Sequence, residues 1–309
     1  MPRFPSLPRV SIVVPVGDVL SDFETSLVSV LEHLPGDAEV IVTHDGSYDD
    51  PFDLAEEVRF ASIGSSDWGD LIRVIGSEAR GRFVHLIGGG VRATDGWTAA
   101  GIEPFDDPEV GMIASVLRSE RGEIVSVGWR DTDARLGEPV LAGSDRFDRR
   151  LAARAMAPSL FASFWRRETL RGLSGRYRGR DVGEAEYALG KLARLDGWRC
   201  EVAVDCETRL DGDLLSTDRP AFRRGQTRRA IHQRLHGGGW ADAWLAAGRG
   251  VLAAAIGRGG IGEALGQAAA IRIAADIKAR VKPNAIESLE SERIVPIGHH
   301  GRTPMRRAA

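Results

Sequence analysis

Only two of the 309 residues are cysteine, Cys200 and Cys206, which excludes a disulfide-stapled scaffold and a cysteine-built zinc site. They flank one short strand and read as buried apolar fillers, a usage that suits a reducing cytosol. Long apolar runs are missing too. No stretch reaches the roughly 18 residues of a membrane span; the best candidate, Trp240 to Ala274, is broken by Arg249, Arg258, Glu263 and Arg272. The opening MPRFPSLPRV lacks the apolar core of a secretory signal. There is no excess of one charge: the net value is −3, too near neutral to call for a nucleic-acid partner. No internal repeat is visible.

What is present is a globular composition with alternating elements. Hydrophobic residues make up 43% of the chain, enough for a sizeable core. VSIVVPV from Val10 and AEVIVT from Ala38 are continuous β-branched runs, as expected of strands buried on both faces. Between them, Phe23, Leu27, Val30, Leu31 and Leu34 form one helical stripe that Pro35-Gly36 ends. A short helix over 53–58, a strand over 58–63, a helix over 67–78 and the strand RFVHLI from Arg82 follow. Further strands are expected over 110–116, 123–129 and 200–204, and a helix over 184–195. Such alternation predicts an α/β fold with a mostly parallel sheet and right-handed crossovers. Ligands of such sheets bind beyond the carboxyl ends of the strands, where the loops at 15–18, 44–50 and 88–95 leave. No G-x-G-x-x-G follows the first strand, where PVGD stands instead, so a dinucleotide-binding enzyme is disfavoured. Beyond Asp213 the composition becomes Ala/Gly/Arg-rich and helical. The expected organisation is a domain over 8–212, a helical extension over 213–285 and a disordered tail over 286–309. In the extension, Arg223, Arg224, Arg228, Arg229 and Arg234 form either a solvated helix face or a phosphate or anionic-lipid contact.

In order, these pieces resemble family 2 glycosyltransferases and their GT-A fold. VSIVVPV matches the family's opening V-S-I-I-I-P strand, TSLVSVLEHL its T-L-x-S helix, and EVIVTHDGSYDD its E-I-I-V-V-D-D-G-S-x-D block. The match is close over 10–50 and recognisable to about residue 210. The resemblance implies a nucleotide-sugar donor and a glycan or lipid-linked acceptor. Pro15 would line the donor site, Asp45 would accept from the base and Gly46 would open the turn, although the first acid of the family pair is His44 here. Arg73 matches an arginine near the donor phosphates. The family's D-x-D carboxylates, which hold a divalent cation, are replaced by Gly88, Gly89 and Gly90, so Mn or Mg is not expected. Asp95 nearby reads as a helix N-cap. The three glycines are open to a role as backbone donors to a phosphate, and Arg209, with Arg73 or Arg92, to a role as the missing positive charge. Counting back from Gly197-Trp198 places Glu186 at the family's general base, with Glu184 and Asp181 as alternatives. Gln226 and Arg229 distantly match a Q-x-x-R-W motif, with Ala230 for the tryptophan.

Two functions stay open: a metal-independent sugar transfer, or a pseudo-enzyme whose crevice serves binding or assembly. The expected location is cytoplasmic, with a possible peripheral membrane contact through the helical extension.

Overall fold

The computed structural model describes residues 7–46, 48, 50, 53–65, 67–211, 220–257 and 260–284. The expected tail over 286–309 and the start of the extension at 213 lie outside them. In chain order the strands are β1 (Val10–Pro15), β2 (Ala38–His44), β3 (Arg59–Ser62), β4 (Phe83–Ile87), β5 (Val91–Arg92), β6 (Val110–Ser119), β7 (Ile124–Ser126), β8 (Trp129–Arg130), β9 (Glu138–Pro139), β10 (Ala162–Arg166) and β11 (Arg199–Leu210). The helices are α1 (Leu20–Glu32), α2 (Trp68–Glu78), α3 (Trp97–Ile102), α4 (Arg149–Ala152), α5 (Arg167–Leu173), α6 (Val182–Leu195), α7 (Ala221–His236), α8 (Trp240–Ala255), α9 (Ile261–Ala268) and α10 (Ala274–Arg280).

The main sheet runs β3-β2-β1-β4-β10-β6-β11-β5, with β7 on β6. β1 to β4 pair in parallel; β10 is antiparallel to both β4 and β6. This is the expected mixed, mostly parallel sheet flanked by helices. Successive side chains of a strand point to opposite faces, and the core divides accordingly. Ile12 and Val14 of β1 and Val40 and Val42 of β2 pack under α1 and α3, around Phe23, Trp97 and Phe105. Val13, Ile41, Val84 and Leu86 face the other way, toward α2, α5 and α6. The β-branched runs are continuous because both faces are covered.

At the amino end of the parallel strands, Glu39 is fully buried and accepts from Ser11 Oγ at 2.6 Å, Arg80 N–H at 2.7 Å and Arg59 Nη1 at 2.7 Å. The glutamate that opens the second strand block is therefore a structural hub, at the opposite end from any strand-exit crevice. Residues 129–157 form the β8–β9 ribbon and α4. They pack on β6 and β7 and set Trp129 against Tyr187 of α6, ring centroids 5.0 Å apart.

α7 to α10 pack on one another, and α7 packs on α6. α7 and α9 touch backbone to backbone: a Cβ at Gly225 would lie 2.0 Å from Glu263 O, and one at Gly266 2.0 Å from Phe222 O. Arg229 is buried and donates to Gln267 Oε1 at 3.2 and 2.7 Å. Gln226 donates to Ala269 O at 3.0 Å. Arg228 donates to Leu136 O at 3.0 Å and stands 3.7 Å from the buried Glu263. The solvated face expected for this arginine run is thus corrected at Arg228 and Arg229, which face partners 35 and more residues downstream or in the β8–β9 ribbon. Farther on, Arg178 N–H donates to Arg280 O and Lys282 N–H to Arg176 O, lacing the end of α10 to the segment before α6. Among the described residues no helix is long and apolar enough to cross a membrane.

Candidate functional site

β2, β1 and β4 are neighbours and run the same way, so their exits at His44, Pro15 and Ile87 stand side by side on one edge. Past β1, Val16 N–H still donates to Thr43 O at 2.8 Å, keeping the chain beside β2. Past β2, Gly46 takes φ 99° and donates its N–H to His44 Nδ1 at 3.2 Å. That left-handed turn is open to glycine and strained for other residues. The loop is pinned by Tyr48, which is buried against Phe23 (5.2 Å, edge-on) and Phe60 (6.1 Å, stacked). Asp45 is left exposed at the strand exit.

The three glycines after β4 form a tightly packed bend. Gly88 N–H donates to Phe161 O at 3.1 Å and Gly90 N–H to Asp22 O at 2.9 Å. Gly88 O accepts from Ser26 Oγ at 2.9 Å, and Gly90 O from Asp211 N–H at 2.8 Å. With two of three amides engaged inside the protein, the bend does not form the three-amide phosphate cradle considered from the sequence. Its glycines serve close packing: a Cβ at Gly88 would meet the Phe161 ring at 2.1 Å, and one at Gly89 would meet Phe23 N at 3.3 Å. Phe161 in turn rests on Trp68, the first residue of α2, at 5.6 Å. The volume a carboxylate would need at position 88 is filled by this aromatic pair.

α2 starts at the same edge. Asp67 caps it, accepting from Gly69 N–H at 2.7 Å. Asp70 accepts from Ser65 Oγ at 2.6 Å and Arg73 Nη2 at 3.2 Å. The Ser65 hydrogen bond, with the Arg73 and Arg178 charges, holds its carboxyl below the usual range. Arg73, more than a turn into α2, is half exposed.

The three acids at the start of α6 divide into distinct roles. Asp181 is the N-cap and accepts from Glu184 N–H at 2.7 Å. Glu184 is buried and ion-paired with Arg280 of α10, so its carboxylate anchors the extension. Glu186, two residues on, projects from a different side of the helix. Its Oε2 accepts from Leu160 N–H at 2.9 Å and Ser159 Oγ at 3.0 Å. Burial raises its carboxyl above the usual range, against the lowering effects of the Leu160 N–H, the Arg228 charge and the Ser159 hydroxyl. Leu160 adjoins Phe161, whose carbonyl receives the Gly88 amide. Glu186 and the glycine bend are therefore two ends of one short contact chain. Ser159, Leu160, Phe161, Trp68 and Arg178 were not singled out from the sequence; the apolar-aromatic stretch Ser159 to Trp165 was the only local sign.

Arg92 and Arg209 are brought together elsewhere. They are direct partners across β5 and β11 and line a groove of about 1090 Å3 against α1, with Glu24, Glu32 and His33. Arg92 is ion-paired with Asp211. α1 covers one face of the sheet and α2 the other, so the sheet lies between this arginine pair and Arg73. A joint cluster of Arg73, Arg92 and Arg209 on one diphosphate is not formed. Asp95 is also corrected: Gly96 occupies the N-cap of α3, and Asp95 is fully exposed, 3.4 Å from His33 Nε2.

The residues present do not fit a divalent cation of the D-x-D kind. The bend has no side-chain oxygen, and no group of three His, Cys, Asp or Glu is placed to hold a metal among the described residues.

No protein-family model and no curated protein sequence matches the chain. Solved structures do. It superposes on the mannosyltransferase PcManGT from Pyrobaculum calidifontis, solved in complex with GDP-Man and Mn2+, over 93% of this chain and 88% of that one, with TM-score 0.51 and 18% identity. S. aureus TarS matches over 78% of this chain and 42% of its own length, with TM-score 0.51 and 13% identity. The fold is the GT-A fold of glycosyltransferases. At these identities the likeness speaks to architecture alone, and function must be argued from the site.

Proposed function

We propose that the chain binds a nucleotide-sugar donor at the shared exit of β1, β2 and β4 and transfers the sugar to a glycan or lipid-linked acceptor without a divalent cation. Asp45 accepts an N–H of the base, Pro15 and Gly46 shape the floor, and Arg73 faces the diphosphate. Glu186 takes the proton of the acceptor hydroxyl. The freed oxygen bonds to the anomeric carbon, and the bond to the nucleotide diphosphate breaks, its electron pair leaving with the phosphate oxygen. The observation that carries this is the setting of Glu186: a half-buried carboxylate with raised proton affinity, held by Ser159 and Leu160 beside the glycine bend. Such an environment suits a general base. The solved neighbour holding GDP-Man supports a nucleoside diphosphate sugar as donor class. The proposed units remain a sheet domain over 8–212 and a helical extension from 213, in a cytoplasmic protein that touches a membrane peripherally.

Binding without turnover is favoured by one specific observation, the filling of the metal-loop volume by Phe161 over Gly88. The experiment that decides is donor hydrolysis and transfer measured in EDTA with Glu186→Gln as control. Turnover that the variant loses by at least 100-fold supports transfer; nucleotide binding with no turnover in either protein assigns the crevice to binding.

A further inference from the structure

Two charged side chains near the proposed site make incomplete use of their partners. The first is Arg228 of α7, whose side chain is 12% exposed. Its Nη1 donates to Leu136 O at 3.0 Å, and its Cζ and Nε lie over Gly137, 2.9 Å from where a Cβ would stand. Glu263 of α9 is 3.7 Å away and is shared with Arg135, which stands closer at 3.2 Å. The Arg228 Nε–H is buried with no acceptor among the described residues. Such a group in a folded chain calls for an explanation. The second is Glu186 of α6. Its Oε2 is taken by Leu160 N–H and Ser159 Oγ, while its Oε1 accepts from no group among the described residues.

Both groups sit over one ribbon. β8 pairs with β9 on one side. On the other, Met156 N–H donates to Trp129 O at 2.8 Å and Trp129 N–H to Ala157 O at 2.9 Å. Arg228 is seated on Leu136 and Gly137, which lead into β9; Glu186 is seated on Ser159 and Leu160, which follow Ala157. Between them Trp129 rests on Tyr187, the chain neighbour of Glu186, and α6 packs on α7. The guanidinium keeps to Glu263 and forms no ion pair with Glu186. A buried charge still acts across such a gap, because little water screens it. Burial lifts the Glu186 carboxyl, and Arg228 is among the groups that pull it back, after Leu160 N–H and ahead of Ser159. Burial lowers the Arg228 guanidinium, and Glu263, then Glu186, oppose this; Arg224 on its own helix and Tyr187 are the other groups it feels.

We infer that Arg228 is a positioning residue for Glu186: a fixed positive charge, carried by the helical extension, that favours the ionised carboxylate at the base position. Resting on the reading of Glu186 as general base, this role gives the extension a part in the chemistry. A half-buried carboxyl tends to keep its proton, and a protonated one takes none from an acceptor hydroxyl. A guanidinium suits the task because it stays charged when buried.

The test follows the Glu186 carboxyl by carbon NMR of the full chain labelled at glutamate, with Glu186→Gln to assign its signal and no substrate present. Wild type should titrate below about pH 7. Arg228→Gln and Arg228→Met remove the charge and keep a long side chain; each should raise the midpoint by about one pH unit. Arg228→Lys, which keeps the charge, should return at least about half of that shift. Circular dichroism checks that each variant folds. A midpoint within about 0.2 unit of wild type in either folded neutral variant overturns the inference. So does a lysine variant that shifts as far as the glutamine one, which would assign the effect to packing. A wild-type midpoint above about pH 7 overturns it even where no variant folds. With a donor and acceptor supplied, the acidic limb of kcat/KM should move with the NMR midpoint. Absence of turnover in wild type removes the transfer reading, while the carboxyl titration still decides what Arg228 does.

Discussion

Replacing Gly88 by alanine probes the bend that stands where a metal loop would be. The added Cβ would lie 2.1 Å from Phe161 Cδ1, 2.2 Å from Cγ and 2.7 Å from Cβ, against an ordinary contact of at least 3.4 Å. The ring must retreat by about 1.3 Å (3.4 − 2.1). Because Phe161 Cβ is also too close, rotation of the ring alone does not relieve the clash. Overpacking of this kind costs about 1–3 kcal/mol, and loss of the Phe161–Trp68 contact adds about 0.5–1.5 kcal/mol. The gain from removing a glycine from the unfolded chain, about 0.4–1 kcal/mol, is smaller and opposite in sign. The expected net cost is about 2–3 kcal/mol, a fall in Tm of roughly 3–5 °C for a chain of this size. In a Phe161→Ala background the ring is gone and only the 2.7 Å contact with Cβ remains, so the same substitution should cost about 1 kcal/mol less. Urea unfolding of the four proteins gives the coupling. Equal costs in both backgrounds, or no cost in the first, would refute packing as the reason for glycine at this position.

Further outcomes follow from three named groups. Glu186→Gln should remove transfer while leaving nucleotide binding within about twofold, read by steady-state rates and calorimetry; because the carboxyl is raised, wild-type kcat/KM should climb with pH through a limb above the usual carboxylate range. The same raised affinity means that the folded state binds this proton more tightly than the unfolded one, so Glu186 loses stability as pH rises through its folded pKa; Glu186→Gln should raise Tm at pH 8 relative to wild type and not at pH 4. Burial pushes the Asp131 carboxyl up, but His232, whose Nδ1 stands 3.8 Å away, and Lys191, which donates at 3.0 Å, outweigh it and hold it at about 2. Its stabilisation, about 2 kcal/mol, is present above the unfolded value of 3.8 and lost as pH falls toward 2; an Asp131→Asn chain should show a flatter acid unfolding curve. Glu39→Ala leaves the Ser11 hydroxyl and the Arg80 amide without their acceptor, while Arg59 keeps the Glu78 carboxylate at 3.0 Å, and should cost about 2–3 kcal/mol, read as the shift of the urea midpoint.

The sheet was legible because its strands are buried on both faces, which writes them as unbroken β-branched runs at Val10 and Ala38. β11 was legible only to Val204. It continues to Leu210 through polar residues that no period marks, because β6 and β5 supply pairing on both sides and Glu207 meets Arg118. The N-cap expected of Asp95 failed for a local reason, since Gly96 holds the cap position with φ 71°. The buried state of Arg228 and Arg229 was hidden because their acceptors lie in α9 and the β8–β9 ribbon, far along the chain. Sequence counting put Glu186 at the base position; what surrounds it, Ser159 and Leu160, sits 27 and 26 residues upstream and leaves no mark near α6. The placement of Arg92 and Arg209 apart from Arg73 likewise depends on which helix covers which face, a property of topology and not of spacing.

The most direct measurement is titration calorimetry of the full chain with UDP- and GDP-sugars, in EDTA and again with Mn2+, on wild type and Asp45→Ala. A metal-free donor site at the strand exits predicts saturable binding of at least one sugar nucleotide in EDTA, unchanged within about twofold by Mn2+ and weakened at least tenfold by Asp45→Ala. Binding that appears only with Mn2+, or no binding under either condition, would contradict it.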